Sequence, residues 1–162
     1  MYRKLTFVSS FIFVIIFVVS KVFLNNHCSD FIWCDYELRN SILRPLVFFS
    51  LILSISFILI SLYPEQLVRS WCLKILSWLL PLAIFQIFTT DIYASGMFTP
   101  DRAEVAWGSG QVLFAVTVIF IIFSYLIKYH KKEVDKKTVF IKLLLIIPLA
   151  TLLYFGKDIF FG

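Results

Sequence analysis

Cys28 and Cys34 are the residues of this chain closest to chemistry, and they share a polar stretch, Asn25 to Arg44, between two long apolar runs. Two thiols so near each other fit three chemistries: a structural disulfide, a thiolate metal site or a redox pair. A disulfide here closes a loop of about seven residues, for which chain entropy gives about 2 to 2.5 kcal/mol before strain is deducted. An enzyme that hands electrons from an extracytoplasmic partner to a quinone commonly holds its thiols as Cys-x-x-Cys and passes equivalents on to a second pair. This chain has Cys-x5-Cys, and its third cysteine, Cys72, follows another apolar run. The expectation is therefore a structural Cys28–Cys34 disulfide, formed if that face is oxidising. A membrane thiol-disulfide oxidoreductase is the alternative.

His27, Asp30 and Asp35 surround the two thiols, and imidazole with thiolate suits zinc. Their spacing matches no zinc finger, and a disulfide would consume both sulfurs, so neither metal nor cofactor is expected. Asp91, Asp101, Glu104 and Glu37 add carboxylates to the polar stretches, together with Arg39 and Arg102. No histidine, serine or lysine is placed to pair with them for acid–base work, which leaves solvated loop charges. A salt bridge from Arg102 to an acid of the first stretch is one expected use. The chain holds no phosphate-binding glycine loop, no metalloprotease helix motif, no paired Cys-x-x-Cys and no Asn-x-Ser/Thr acceptor.

The elements that would position these residues are apolar. Of the 162 residues 60% are hydrophobic, 19% aromatic and only 15% charged, a balance far from that of a soluble domain. Runs long enough to cross about 30 Å of hydrocarbon occur five times, at residues 5–24, 45–63, 71–88, 108–128 and 139–155. The reading is an all-α, polytopic integral membrane protein, one membrane domain over residues 1–162. Arg3 and Lys4 before the first run, with Val18-x-Ser20 inside it, also resemble a cleaved signal peptide; an uncleaved first span is preferred. Lys74 and Lys142 lie near run boundaries and can extend their ammonium groups outward, and Gln86 suits an interhelical hydrogen bond. Pro81 predicts a kink in the third span.

Ser50, Ser54 and Ser61 fall on one helical face, as do Ala106, Gly110, Thr117 and Ser124. Small residues so spaced let membrane helices approach closely, and the two stripes are expected to face each other. Thr99-Pro100-Asp101 reads as a helix start, with a hydroxyl cap, proline in first position and an acid in the first turn, so the fourth helix should begin before its apolar part.

Basic residues set the orientation. Arg3, Lys4, Arg69, Lys74, Lys128, Lys131, Lys132, Lys136, Lys137 and Lys142 fall on the face of the amino terminus, ten of the fifteen; Lys21, Arg39, Arg44, Arg102 and Lys157 fall on the other. The amino terminus and loops 64–70 and 129–138 are then cytoplasmic, while loops 25–44 and 89–107 and the carboxyl terminus are extracytoplasmic. Tyr63, Trp71, Tyr125 and Tyr129 would form an inner aromatic belt, with Trp33, Tyr93, Trp107 and Tyr154 at the outer boundary. The formal charge of +5 is thus an orientation signal and not a nucleic-acid footprint. No Asp or Glu lies mid-span, which argues against a pore built by this chain alone. The functional expectation is a non-catalytic accessory, assembly or scaffold component in a cell or inner membrane. Its partners would be the bilayer and a membrane or extracytoplasmic protein met through the outer loops; a small transport component is the further alternative.

Overall fold

The computed structural model describes residues 1–27, 38–91, 100–131, 133–151 and 153, with the side chains of His27 and Lys136 left aside. Among them every regular element is helical. We number them α1 (Tyr2–His27), α2 (Arg39–Ser61), α3 (Glu65–Thr89), α4 (Arg102–His130) and α5 (Lys136–Leu144). The first four are long and apolar enough to cross a membrane. The fifth run begins as α5, turns at Leu145 and is helical again over 146–151. Most of its remainder lies outside the described residues.

Helices α2 and α3 both start earlier than their apolar runs. α2 opens in the polar stretch with a π-helical turn, Arg39–Leu43, and Pro45 occupies its first regular turn, where a missing N–H costs nothing. α3 starts at Glu65 behind the extended Pro64, contains a second π-turn, Cys72–Leu76, and runs on through Pro81. α4 is also shifted. Asp101, not Thr99, is its cap: the Asp101 carboxylate accepts from the Glu104 amide at 2.7 Å and Glu104 reaches back to the Asp101 amide at 3.4 Å. This reciprocal capping box satisfies two amides, more than a threonine hydroxyl two residues upstream would. α5 is capped by Asp135, which accepts from the Thr138 amide at 3.2 Å. Hydrogen bonding from Thr138 holds the Asp135 carboxyl below its ordinary value.

α2 is the centre of the bundle. In its most apolar stretch 67% of residues are buried, against 11% in α1 and in α3. Phe57 of α2 meets Phe13 of α1 with ring centroids 5.5 Å apart, and the Ser61 carbonyl accepts from Arg3 Nε at 2.8 Å. Ser50, Ser54, Phe57 and Ser61 follow one another at helical spacing, so the serine stripe lies on the face turned to α1. Phe48 stacks edge-on against Trp107 of α4 at 5.6 Å, and Ile52 packs on Gly110 of α4. At about 100° per residue that second face is about 180° from the first. The two small-residue stripes therefore do not meet. α2 offers α4 bulky Phe48 and Ile52, and α4 answers with the space above Gly110.

The aromatic residues expected at the inner boundary are mostly interior. Tyr63, Trp71 and Tyr125 are buried, and only Tyr129 is exposed. The Tyr63 hydroxyl donates to the Lys142 carbonyl at 2.8 Å, and its ring meets that of Tyr125 at 5.6 Å.

A Cβ on Gly110 would lie 2.7 Å from Ile52 Cδ1 and 3.0 Å from its Cβ, whereas one on Gly108 meets nothing within 4 Å. Gly110→Ala should cost about 1 to 3 kcal/mol by overpacking, with part recovered by Ile52→Val. Gly108→Ala should be neutral or gain up to about 1 kcal/mol of helix propensity. Thermal unfolding in detergent reads all three, and equal behaviour of the two glycine variants would refute the packing. For Asp135 the sign follows from its lowered pKa: the cap stabilises α5 above the carboxylate range and is lost as pH falls through the lowered value. Asp135→Asn, which caps without titrating, should remove that dependence from the helical circular dichroism.

Candidate functional site

The interior polar groups are spent on the fold. Ser50, Ser54 and Ser61 donate to carbonyls three residues back, those of Val47, Leu51 and Ile58, at 3.2, 2.7 and 2.7 Å. Ser56 does the same to Ile52 four residues back at 2.9 Å. Such back-bonding is the ordinary outlet of a hydroxyl in a helix without a polar neighbour. Thr117 is different. Its Oγ1 donates to the Leu113 carbonyl at 2.8 Å and accepts from Trp71 Nε1 at 2.9 Å. Trp71 is wholly buried and also holds the Phe57 ring edge-on at 5.3 Å. One indole thus joins α2, α3 and α4, and through Phe57 it reaches Phe13 of α1. Of the remaining stripe residues Ala106 and Gly110 are buried and Ser124 is half-buried.

At the end of the bundle that carries them, the two polar stretches are tied by arginines. Arg102 Nε donates to the Thr90 carbonyl at 3.0 Å; its Nη1 and Nη2 reach the carbonyls of Ser41 and Phe88, each at 3.4 Å. Phe88 and Thr90 are at the end of α3, where carbonyls lack helical partners and the helix dipole is negative. The wide, rigid fork of a guanidinium spreads its donors over separate nitrogens and so spans carbonyls on two helices, whereas an ammonium is a compact point charge. Arg44 donates to Asn40 Oδ1 at 3.1 Å and stands 3.9 Å from the Asp101 carboxylate. Among the described residues the ion pair between the stretches is Arg44 with Asp101, and the described partners of Arg102 are carbonyls. The acids of the first loop, Asp30, Asp35 and Glu37, lie outside the described residues. So do Cys28 and Cys34, the proposed disulfide, and Lys132. Cys72 is a free thiol. Among the described residues no three of His, Cys, Asp and Glu are grouped to hold a metal.

Sequence reasoning passed over the face of α1 that meets α2. Thr6, Ser10 and Ser20 are buried, and with Phe13 and Phe17 they recur at spacings of four, three, four and three, the pattern that marked the serine stripe of α2. Gln86 receives a long hydrogen bond from Ser109 across α3 and α4, at 3.5 Å.

No protein-family model matches the chain, and neither a curated protein nor a solved structure matches it.

Trp71→Phe should lower stability by more than about 0.6 kcal/mol, the average for interhelical hydrogen bonds in membranes, because the lost ring volume adds a cavity. Combined with Thr117→Val it should show a coupling close to that average in a double-mutant cycle. Additive losses would mean that the indole acts by volume alone. Arg102→Lys should speed amide hydrogen exchange around residues 86–91 while leaving the amides near Trp71 unchanged.

Proposed function

We propose that this chain is a five-span integral membrane protein, amino terminus in the cytoplasm and carboxyl terminus outside, that acts by contact as an accessory, assembly or scaffold component. Its partner-binding surface is the outer cap formed by loops 25–44 and 89–107, with a Cys28–Cys34 disulfide as a staple in the first loop. The supporting observation is the commitment of the interior: among the described residues no buried side-chain nitrogen or oxygen lacks a hydrogen-bond partner. Catalysis or translocation within the bundle would draw on polar groups with unused bonding capacity. The contacts of Arg102 and Arg44 tie together the described ends of the two loops, Ser41 with Thr90 and Asp101. The excess of basic residues toward the amino-terminal face supports the orientation.

Two experiments test this. In a cysteine-free background, Glu104→Cys should react with an impermeant maleimide on intact cells, and Lys137→Cys only after permeabilisation; the reverse pattern would invert the topology. Mild-detergent capture of the full chain should retain a stoichiometric partner that is lost with Arg102→Ala or with Cys28→Ser and Cys34→Ser together, and kept with Lys137→Gln. If instead alkylation gel-shifts show Cys28 and Cys34 cycling between thiol and disulfide with no partner retained, the oxidoreductase reading replaces this one.

A further inference from the structure

At the opposite end from the arginine contacts, α3 and α4 leave a groove of about 370 Å³ between them. Three ammonium groups line it: Lys74 from α3, Lys128 from α4, and Lys131 just past its end. Each of the first two is preceded four residues earlier by a hydroxyl that also lines the groove, Ser70 before Lys74 and Ser124 before Lys128. The antiparallel helices thus present two facing serine–lysine pairs. Glu133 is the one carboxylate in the lining, and among the described residues none of the three lysines is in an ion pair. Three positive charges against one negative leave the groove cationic.

Lys128 and Lys131 sit where the C-terminal dipole of α4 welcomes cations, so their positions alone do not call for a ligand. Lys74 does. With α3 beginning at Glu65, Lys74 lies about 13 Å along the helix, away from either helix end and so without a C-terminal dipole to account for it, and its side chain is exposed there. Beside the charges the groove has an apolar wall, made by Phe120 and by Ile127, itself 53% exposed. Hydroxyls and ammonium groups beside an exposed apolar wall match a phosphate joined to a hydrocarbon chain. A soluble phosphate has no use for that wall.

We propose that this groove binds the phosphate headgroup of an anionic phospholipid, with Lys74, Lys128 and Lys131 supplying charge and Ser70 and Ser124 supplying hydrogen bonds to its oxygens, while an acyl chain lies along Phe120 and Ile127. The assignment rests on the membrane placement proposed above, which carbonate extraction reads independently. The experiment is native mass spectrometry of the full chain purified from mixed phosphatidylcholine and phosphatidylglycerol vesicles. Preferential retention of phosphatidylglycerol is expected. Lys74→Gln, Lys128→Gln and Lys131→Gln should each reduce that preference about fivefold, the effect of one basic residue near an anionic surface. Lys74→Arg should keep it, as should Lys137→Gln, outside the groove. Glu133→Gln should raise it, an outcome that general destabilisation cannot mimic. Equal retention of both lipids, or equal loss with Lys137→Gln, would overturn the site. Inorganic phosphate that binds the lipid-free protein and displaces phosphatidylglycerol would overturn the lipid as its occupant.

Discussion

The hydrogen bond from the Trp71 indole to Thr117 is the contact on which the arrangement of helices depends. In lipid, apolar side chains gain little by leaving their surroundings for one another, so helix association must come from close packing and from polar groups that find partners. Trp71 does both. Its ring fills the junction of α2, α3 and α4, and its N–H, which hydrocarbon would leave unsatisfied at a cost of about 1 to 3 kcal/mol, is taken by a threonine that has already satisfied its own proton on Leu113. The other buried hydroxyls of α2 donate within their own helix, so they set how closely helices pack and not which helices pair.

Around that junction α2 works as a two-sided spacer. Toward α1 it turns serines, and α1 answers with Thr6, Ser10 and Ser20 beside Phe13. Toward α4 it turns Phe48 and Ile52, and α4 answers with Gly110. Small against small on one side, and Ile52 over Gly110 with Phe48 against Trp107 on the other, give two close interfaces from one helix, consistent with α2 being the most buried of the four. The outward faces of α1 and α3 remain broadly apolar, with Phe11, Ile15, Phe85 and Phe88 among the exposed residues, as expected of helices whose solvent is lipid.

Much of this was legible in the residue order. The helical class, the apolar runs that became α1 to α4 and the burial of Ser54, Gly110 and Thr117 follow from run length and from four- and seven-residue spacing. Which stripe meets which did not follow, because spacing places residues on a face without saying what stands opposite; Ile52, inside an unbroken apolar run, carries no mark that it faces Gly110. The Asp101 cap was obscured by Thr99-Pro100, an equally good local start. Trp71 and Tyr63 looked interfacial because they flank a run, and only the early start of α3 at Glu65 brings Trp71 inside. The thiol loop, where the sequence held its most suggestive chemistry, falls outside the described residues, and the basic groove was invisible because Lys74 and Lys128 are far apart in the chain.

The π-turn at Cys72–Leu76 has a mechanical meaning. Trp71 and Trp78 are seven residues apart, which in an unbroken α-helix would stack them on one face, yet Trp71 is wholly buried and Trp78 is 79% exposed. A π-turn holds one residue more than an α-helical turn, and that surplus turns everything beyond it by about 100°. It acts as a phase shifter, with one indole directed to the bundle and the other away. Loss of a single residue from this turn would leave an unbroken α-helix with the two indoles six residues apart, still about 120° from each other, so the surplus residue is the one this helix can lose without re-aiming either indole. For this helix, length is an angular variable, and the π-turn absorbs a change of one residue that a regular α-helix would pass on as a rotation of everything beyond it.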